Sequence, residues 1–128
     1  MLHRLTDLQI RVMDVVWAAG EASPGDVHEA LRAQTGLARQ TIGTLLARLE
    51  KAGVLTHRVQ GREHVYRARV TREQVQRATL QNVLERLFGG SVPALLGHAL
   101  EAREVRPGDA ERLYEMIREW ESVEGDRE

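Results

Sequence analysis

Arg39-Gln40-Thr41-Ile42-Gly43-Thr44-Leu45-Leu46-Ala47-Arg48-Leu49-Glu50-Lys51-Ala52 is the stretch on which the fold turns. Ile42, Leu45, Leu46 and Leu49 recur at i, i+3, i+4 and i+7, which predicts a helix over about 39–52 with one apolar face turned inward. Its opposite face carries Gln40, Thr41, Thr44, Arg48 and Lys51, and Gly53 ends it. A solvated helix surface ordinarily mixes Glu with Lys, yet between Arg39 and Arg48 the outward side chains include no acid. Gln bonds adenine through both amide groups, Arg forks onto guanine, and Thr reaches phosphate or touches a thymine methyl. An acid at these places would repel phosphate, so the pattern suits the major groove of a duplex.

Upstream, Thr6-Asp7-Leu8-Gln9 has the form of a capping box and predicts a helix to about Ala19, closed by Gly20. Leu8, Val12, Val15 and Val16 form its stripe, which Ile10, Met13 and Trp17 widen. Ser23-Pro24 supplies an N-cap followed by Pro at the first helical position. The helix it opens, about 24–34, is expected to bury Val27, Ala30 and Leu31 before a turn at Thr35-Gly36. Downstream, two β-rich runs, about Val54–Gln60 and Glu63–Val70, flank Gly61-Arg62 and predict a hairpin with a basic tip. The hairpin gathers His57, Arg58, Arg62, His64, Arg67 and Arg69, part of which must share a face. Three helices and a basic two-stranded hairpin, in that order, make a winged helix-turn-helix. Residues 1–70 are read as this DNA-binding domain. Arg39, Gln40, Thr41, Thr44 and Arg48 are its candidate contacts on the helix, and Arg58 and Arg62 on the wing, with Arg62 placed to grip phosphate or enter a minor groove.

The charge follows the same division. Residues 1–70 hold ten Arg/Lys against seven Asp/Glu, a net of +3, and residues 71–128 hold eight against twelve, a net of −4. Within 39–70 the count is seven against two, a net of +5. Positive charge is gathered where a polyanion would dock, although the whole chain carries only −1.

Residues 71–128 are read as a helical dimerisation domain, so the chain as a whole is mainly α with a small β-hairpin wing. Thr71-Arg72-Glu73-Gln74 is a second capping box, opening a helix to about Phe88 that Gly89-Gly90 stops. Ser91 caps a short helix, Arg106-Pro107-Gly108 breaks the chain, and a last helix is expected over about 107–121 with a frayed tail over 124–128. Three amphipathic helices are too little for an easy independent core. Leu80, Leu84, Leu87, Phe88, Leu96, Leu113, Ile117 and Trp120 nevertheless offer large apolar area, which pairing with a second copy would bury. A two-fold dimer would set two reading helices about 34–36 Å apart, one DNA turn, or at a longer spacing set by the linker helix.

Cysteine is absent, which excludes disulfides, thiolate catalysis and thiolate-bound metals. His3, His28, His57, His64 and His98 are scattered without a carboxylate at ligand spacing, so no metal and no cofactor is expected. No phosphate loop, nucleophile elbow or paired-acid arrangement points to an enzyme, and Ser23 and Ser91 are explained as caps. No apolar run approaches the roughly 20 residues of a membrane span, and no signal-peptide stretch stands at the start; the expectation is a cytoplasmic protein.

Leu8 to Trp17 resembles the opening helix of the penicillinase and methicillin-resistance repressors. Gln40 to Leu49 is similar to their recognition helix, with its T-[IV]-x-T-L-x-x-R-L pattern, and Leu87-Phe88-Gly89-Gly90-Ser91 to the junction between their C-terminal helices. The resemblance, to the BlaI/MecI/CopY family, runs from about Leu5 to Glu121. It implies a homodimeric repressor on dyad-symmetric operator DNA, with a membrane sensor-peptidase pathway upstream and no membrane insertion of its own. The Asn-Phe bond cut in the β-lactam repressors is replaced by His98-Ala99, and the cysteine cluster of the copper-responsive branch is missing. Two other readings stay open: a ligand-responsive winged-helix regulator of another family, and a winged helix serving protein assembly.

Overall fold

The computed structural model describes residues 5–127; His3, with the rest of the first four residues, and Glu128 lie outside the described residues. The elements run α1 (Asp7–Ala19), α2 (Pro24–Thr35), α3 (Arg39–Lys51), β1 (Leu55–Gln60), β2 (Glu63–Ala68), α4 (Arg72–Phe88), α5 (Val92–Glu101) and α6 (Pro107–Arg127). The chain forms two compact units that divide between Asn82 and Val83, inside α4.

In the first unit α1 and α2 start where side chains satisfy the free N–H groups. Gln9 N–H donates to Thr6 Oγ1 at 3.1 Å while Thr6 N–H donates to Gln9 Oε1 at 2.9 Å. Ser23 and Asp26 make the same reciprocal pair before α2, at 3.1 and 3.0 Å. The N-cap of α3, Ala38, offers no side-chain hydrogen bond. β1 and β2 pair antiparallel with Leu55 opposite Ala68 and Gln60 opposite Glu63. Gly61, the first loop residue, has φ +64°, the sign that a two-residue hairpin loop requires there and that glycine adopts without steric cost. On its other edge β2 exchanges two backbone hydrogen bonds with Ala22: Ala22 N–H to Tyr66 O at 2.9 Å, and Tyr66 N–H to Ala22 O at 2.8 Å. The wing is thereby fastened to the loop between α1 and α2.

The core joins Val12, Met13 and Val16 of α1, Val27 and Leu31 of α2, Ile42, Leu46 and Leu49 of α3, and Val54, Leu55 and Tyr66 of the wing. Each fully buried aliphatic side chain contributes about 1.5–3 kcal/mol relative to exposure. Ala30, expected in this core, is exposed. Val27 and Leu31, one turn apart, define the inward stripe, and Ala30 falls to its edge, beside an open groove with Val15, Ala18 and Ala19.

Every buried hydrophobic side chain among the described residues lies at or before Val75. The second unit, the end of α4 with α5 and α6, therefore has no buried core of its own. Gly89 and Gly90 both take positive φ, and Gly90 N–H closes the end of α4 on Leu84 O at 2.9 Å. Ser91 Oγ accepts from Ala94 N–H at 3.1 Å to begin α5, and the Phe88 ring meets the His98 ring edge-on with centroids 5.4 Å apart. Leu96, Leu100, Leu113 and Ile117 line an apolar hollow between α5 and α6. The last helix does not stop at Glu121; it continues to Arg127. The tail holds no proline, and Gly125 sits within the helix rather than ending it, so no stop signal intervenes.

Candidate nucleic-acid interface

Burying Ile42, Leu46 and Leu49 turns the other side of α3 outward, and Arg39, Gln40, Thr41, Thr44, Arg48 and Lys51 are all exposed there. Facing them across an open groove is the wing: Arg39, Gln40, Gly43 and Ala47 form one wall, and Arg62, Glu63 and His64 the other. The helix and the tip of the hairpin thus present one continuous surface.

The polar side chains of α3 and the wing are not equally free. Thr44 Oγ1 donates to Gln40 O at 3.1 Å, so its hydroxyl proton is committed within the helix while the side chain stays exposed. Arg39 Nη2 donates to Glu63 Oε1 at 3.4 Å, and its guanidinium covers Gly25 at the start of α2 so closely that a Cβ there would stand 3.2 Å away. Arg58 donates to Glu21, Nη2 to Oε1 at 2.7 Å and Nε to Oε2 at 3.4 Å. That hydrogen bond holds the Glu21 carboxyl below the usual range, with the charges of Arg58 and Arg67 adding to it, and raises Arg58 in turn. Among the described residues no hydrogen bond or ion pair engages the guanidinium of Arg48 or Arg62.

The hairpin's basic set divides by strand alternation. His57, opposite Tyr66, and His64, opposite Val59, share the face toward α3; Arg58, opposite Val65, and Arg67 lie on the other. His57 Nδ1 is 2.6 Å from Glu50 Oε2 and 2.8 Å from Oε1, and the bond needs its proton on Nδ1, since a carboxylate only accepts. The His57 and His64 rings stack with centroids 4.1 Å apart. Beneath them Tyr66 is buried, and burial, aided by the negative Glu50, pushes its phenol above the usual value. Glu50 is the acid that α3 does carry, and it points at the wing. The sequence does not reveal Glu21, Glu50 and Glu63 as partners; its one signal is that Glu50 and Glu63 stand close to a basic hairpin in the chain.

Of the apolar residues named in the C-terminal helices, Leu80, Leu87, Ile117 and Trp120 are exposed, and Leu84, Phe88, Leu96 and Leu113 are half-buried. Among the described residues no group of three or more His, Asp or Glu is placed to hold a metal, and no helix is long and apolar enough to cross a membrane.

The penicillinase repressor family model matches residues 5–119. The chain belongs to that family. Its members are transcriptional repressors, not enzymes. The transcriptional regulator BlaI of Mycobacterium tuberculosis is 33% identical over 128 residues, covering 98% of this chain and 91% of that one. The penicillinase repressor of Bacillus licheniformis is 25% identical over 118 residues, 92% of each chain. Among solved structures, the DNA-binding domain of the repressor BlaI matches 54% of this chain and 84% of its own at 30% identity, with a TM-score of 0.50. The monomeric form of Bacillus licheniformis BlaI, solved in complex with the blaP half-operator, matches 57% of this chain and 89% of its own at 29% identity, with a TM-score of 0.50. The fold is the winged helix-turn-helix expected from the sequence.

Proposed function

We propose that this family member represses transcription by reading operator DNA through α3 and the β1–β2 wing, and that it does so as a homodimer on a dyad-symmetric site. The observation that carries this reading is the acid-free outer face of α3 from Arg39 to Arg48, set across one groove from the wing tip Arg62. Gln40, Thr41, Thr44 and Arg48 reach base edges and adjacent phosphates, Arg62 grips the backbone, and Arg39 and Arg58 join them once drawn from their carboxylates. That a structurally similar BlaI of Bacillus licheniformis was solved in complex with the blaP half-operator supports DNA binding by this fold. Dimerisation is supported by the second unit, whose exposed Leu87, Tyr114 and Trp120 have no core to enter within it. A sensor-peptidase pathway upstream, as in the β-lactam systems, would need a scissile bond other than His98-Ala99.

The test is binding of the purified full chain to duplexes enriched from a random-sequence pool, against scrambled duplexes, across a salt series. A DNA reader loses affinity steeply with salt yet keeps a gap between the two. No binding at low ionic strength, or no gap, would end the proposal.

A further inference from the structure

The arginines proposed above to contact DNA fall into two classes. Arg48 and Arg62 have no intramolecular partner among the described residues. Arg39 and Arg58 each have one, and in each case it is a carboxylate contributed by another element: Glu63 at the start of β2, and Glu21 in the loop before α2. Neither acid is needed to fill the core, for both are about half exposed, at 54% and 48%. Glu63 also stands in the wall of the groove itself, beside Arg62 and across from Gln40. A carboxylate there meets any phosphate backbone that enters, at a cost that every duplex incurs.

We propose that Glu63 and Glu21 are specificity-determining residues: each holds an arginine in an internal ion pair that a directly seated phosphate or base edge breaks and a loosely docked duplex does not. The proposal rests on the DNA-binding reading above. Its physical basis is competition. Exposed ion pairs are weak, so the arginines are retained rather than locked. Random DNA is held by phosphates acting through solvent, where salt screens them, and such a phosphate does not displace a carboxylate 2.7 or 3.4 Å away. In the seated complex, base contacts from α3 fix the duplex so that a phosphate oxygen comes within direct reach. A guanidinium bonds phosphate with the same forked geometry it uses for carboxylate, so the exchange becomes favourable there. The operator gains two contacts that random DNA is denied. Arg58, gripped through two nitrogens, is the more firmly withheld of the pair.

The test compares Glu63→Gln and Glu21→Gln with Glu29→Gln, whose pairing with Arg32 on α2 lies outside the groove and which changes net charge equally. Affinity of each full-length variant is measured by fluorescence anisotropy for one selected operator duplex and its scrambled counterpart over a salt series. Freeing an arginine should raise affinity for the scrambled duplex about three- to tenfold over Glu29→Gln and steepen its salt slope by about 0.9 for the one phosphate gained. Affinity for the operator should rise by a smaller factor, so the gap narrows. Glu63→Asp and Glu21→Asp, which keep the charge, should stay closer to the unmodified protein. Gains no larger than those of Glu29→Gln, or equal gains on both duplexes, would overturn the proposal. An unmodified protein that binds neither duplex would overturn the underlying reading instead, before any variant is compared.

Discussion

Trp17 donates its indole N–H to the Val70 carbonyl at 2.9 Å, tying the last turn of the first helix to the connection between β2 and α4. The Arg72 guanidinium lies 5.0 Å from the centre of the same indole and donates to Asp14 at 2.6 Å. The chain leaving the wing is therefore fixed to α1 just before α4 begins. Trp17→Phe keeps a ring and removes the donor, so it should cost about 0.5–1.5 kcal/mol of unfolding free energy. Trp17→Ala loses packing as well and should cost more. Urea denaturation of the two variants checks this; a Trp17→Phe protein as stable as the unmodified one would show that the hydrogen bond contributes nothing.

Because the Thr44 hydroxyl proton is held by Gln40 O, the group it presents most freely to a base is its methyl. Thr44→Val preserves that methyl, whereas Thr44→Ala removes it. Operator discrimination should fall by about 1–3 kcal/mol in Gln40→Ala and in Thr44→Ala if each touches a base, and much less in Thr44→Val. Arg62→Ala should weaken binding to all sequences and make the salt slope shallower. Competition binding against single-base operator variants separates these outcomes. A Thr44→Val protein as impaired as Thr44→Ala would assign the role to the oxygen.

Leu46 is fully buried in the core of the first unit and lies on the opposite side of α3 from the reading face. Leu46→Ala should cost about 2–5 kcal/mol by transfer and cavity formation. Its effect on operator binding should disappear once the folded fraction is accounted for. Thermal unfolding followed by circular dichroism, alongside anisotropy, makes the comparison.

Where a local rule decides the outcome, the sequence alone is informative. Thr6 with Gln9 and Thr71 with Gln74 are capping boxes in both readings, and Gly61-Arg62 turns the hairpin as its composition demands. The apolar period from Ile42 to Leu49 is enough to say which side of α3 faces out. What is hidden depends on residues distant in the chain. Arg39 and Arg58 read as free cations until folding brings Glu63 and Glu21 beside them, 24 and 37 positions away. Likewise Glu50 looks like a solvated acid near a helix end until β1 places His57 against it. Ala30 is too small for its apolar character to fix its side of α2, and the acidic composition of the tail resembles a frayed end, which hides the full length of α6.

Asp26 and Glu21 predict the acid limb of stability. Hydrogen bonds from the Ser23 backbone and side chain lower Asp26, and the bond from Arg58 lowers Glu21. A folded value below the unfolded one means that the stabilisation is fully present above the unfolded value and is lost as pH falls through the folded one. These groups should therefore leave stability flat above about pH 5 and reduce it progressively below. Asp26→Asn keeps an acceptor for the Ser23 N–H but cannot titrate, so its stability should fall less between about pH 5 and about pH 3 than that of the unmodified protein. Ser23→Ala should cost about 0.5–2 kcal/mol at neutral pH through loss of the cap. Guanidinium denaturation across that range gives both quantities, and an unchanged acid limb in Asp26→Asn would remove Asp26 from the account.

Trp120 is 63% exposed on α6, and Tyr114 and Ile117 are exposed on the same helix. In the first unit Val12, Met13 and Val16 find a core; in the second no side chain is buried at all among the described residues. Left in water, such faces would cost about 25 cal/mol for every Å² of apolar surface, a cost that a second copy would relieve. Trp120→Arg or Leu84→Arg puts a charge into that contact, where burial without a partner is unfavourable by several kcal/mol. Each should therefore shift the protein to monomer in sedimentation velocity runs and weaken operator binding strongly. Binding to a half-operator should change little, because the reading helix and wing belong to the other unit. A dimer that survives both substitutions would place the contact elsewhere, and a monomer that binds the full operator undiminished would separate repression from dimerisation.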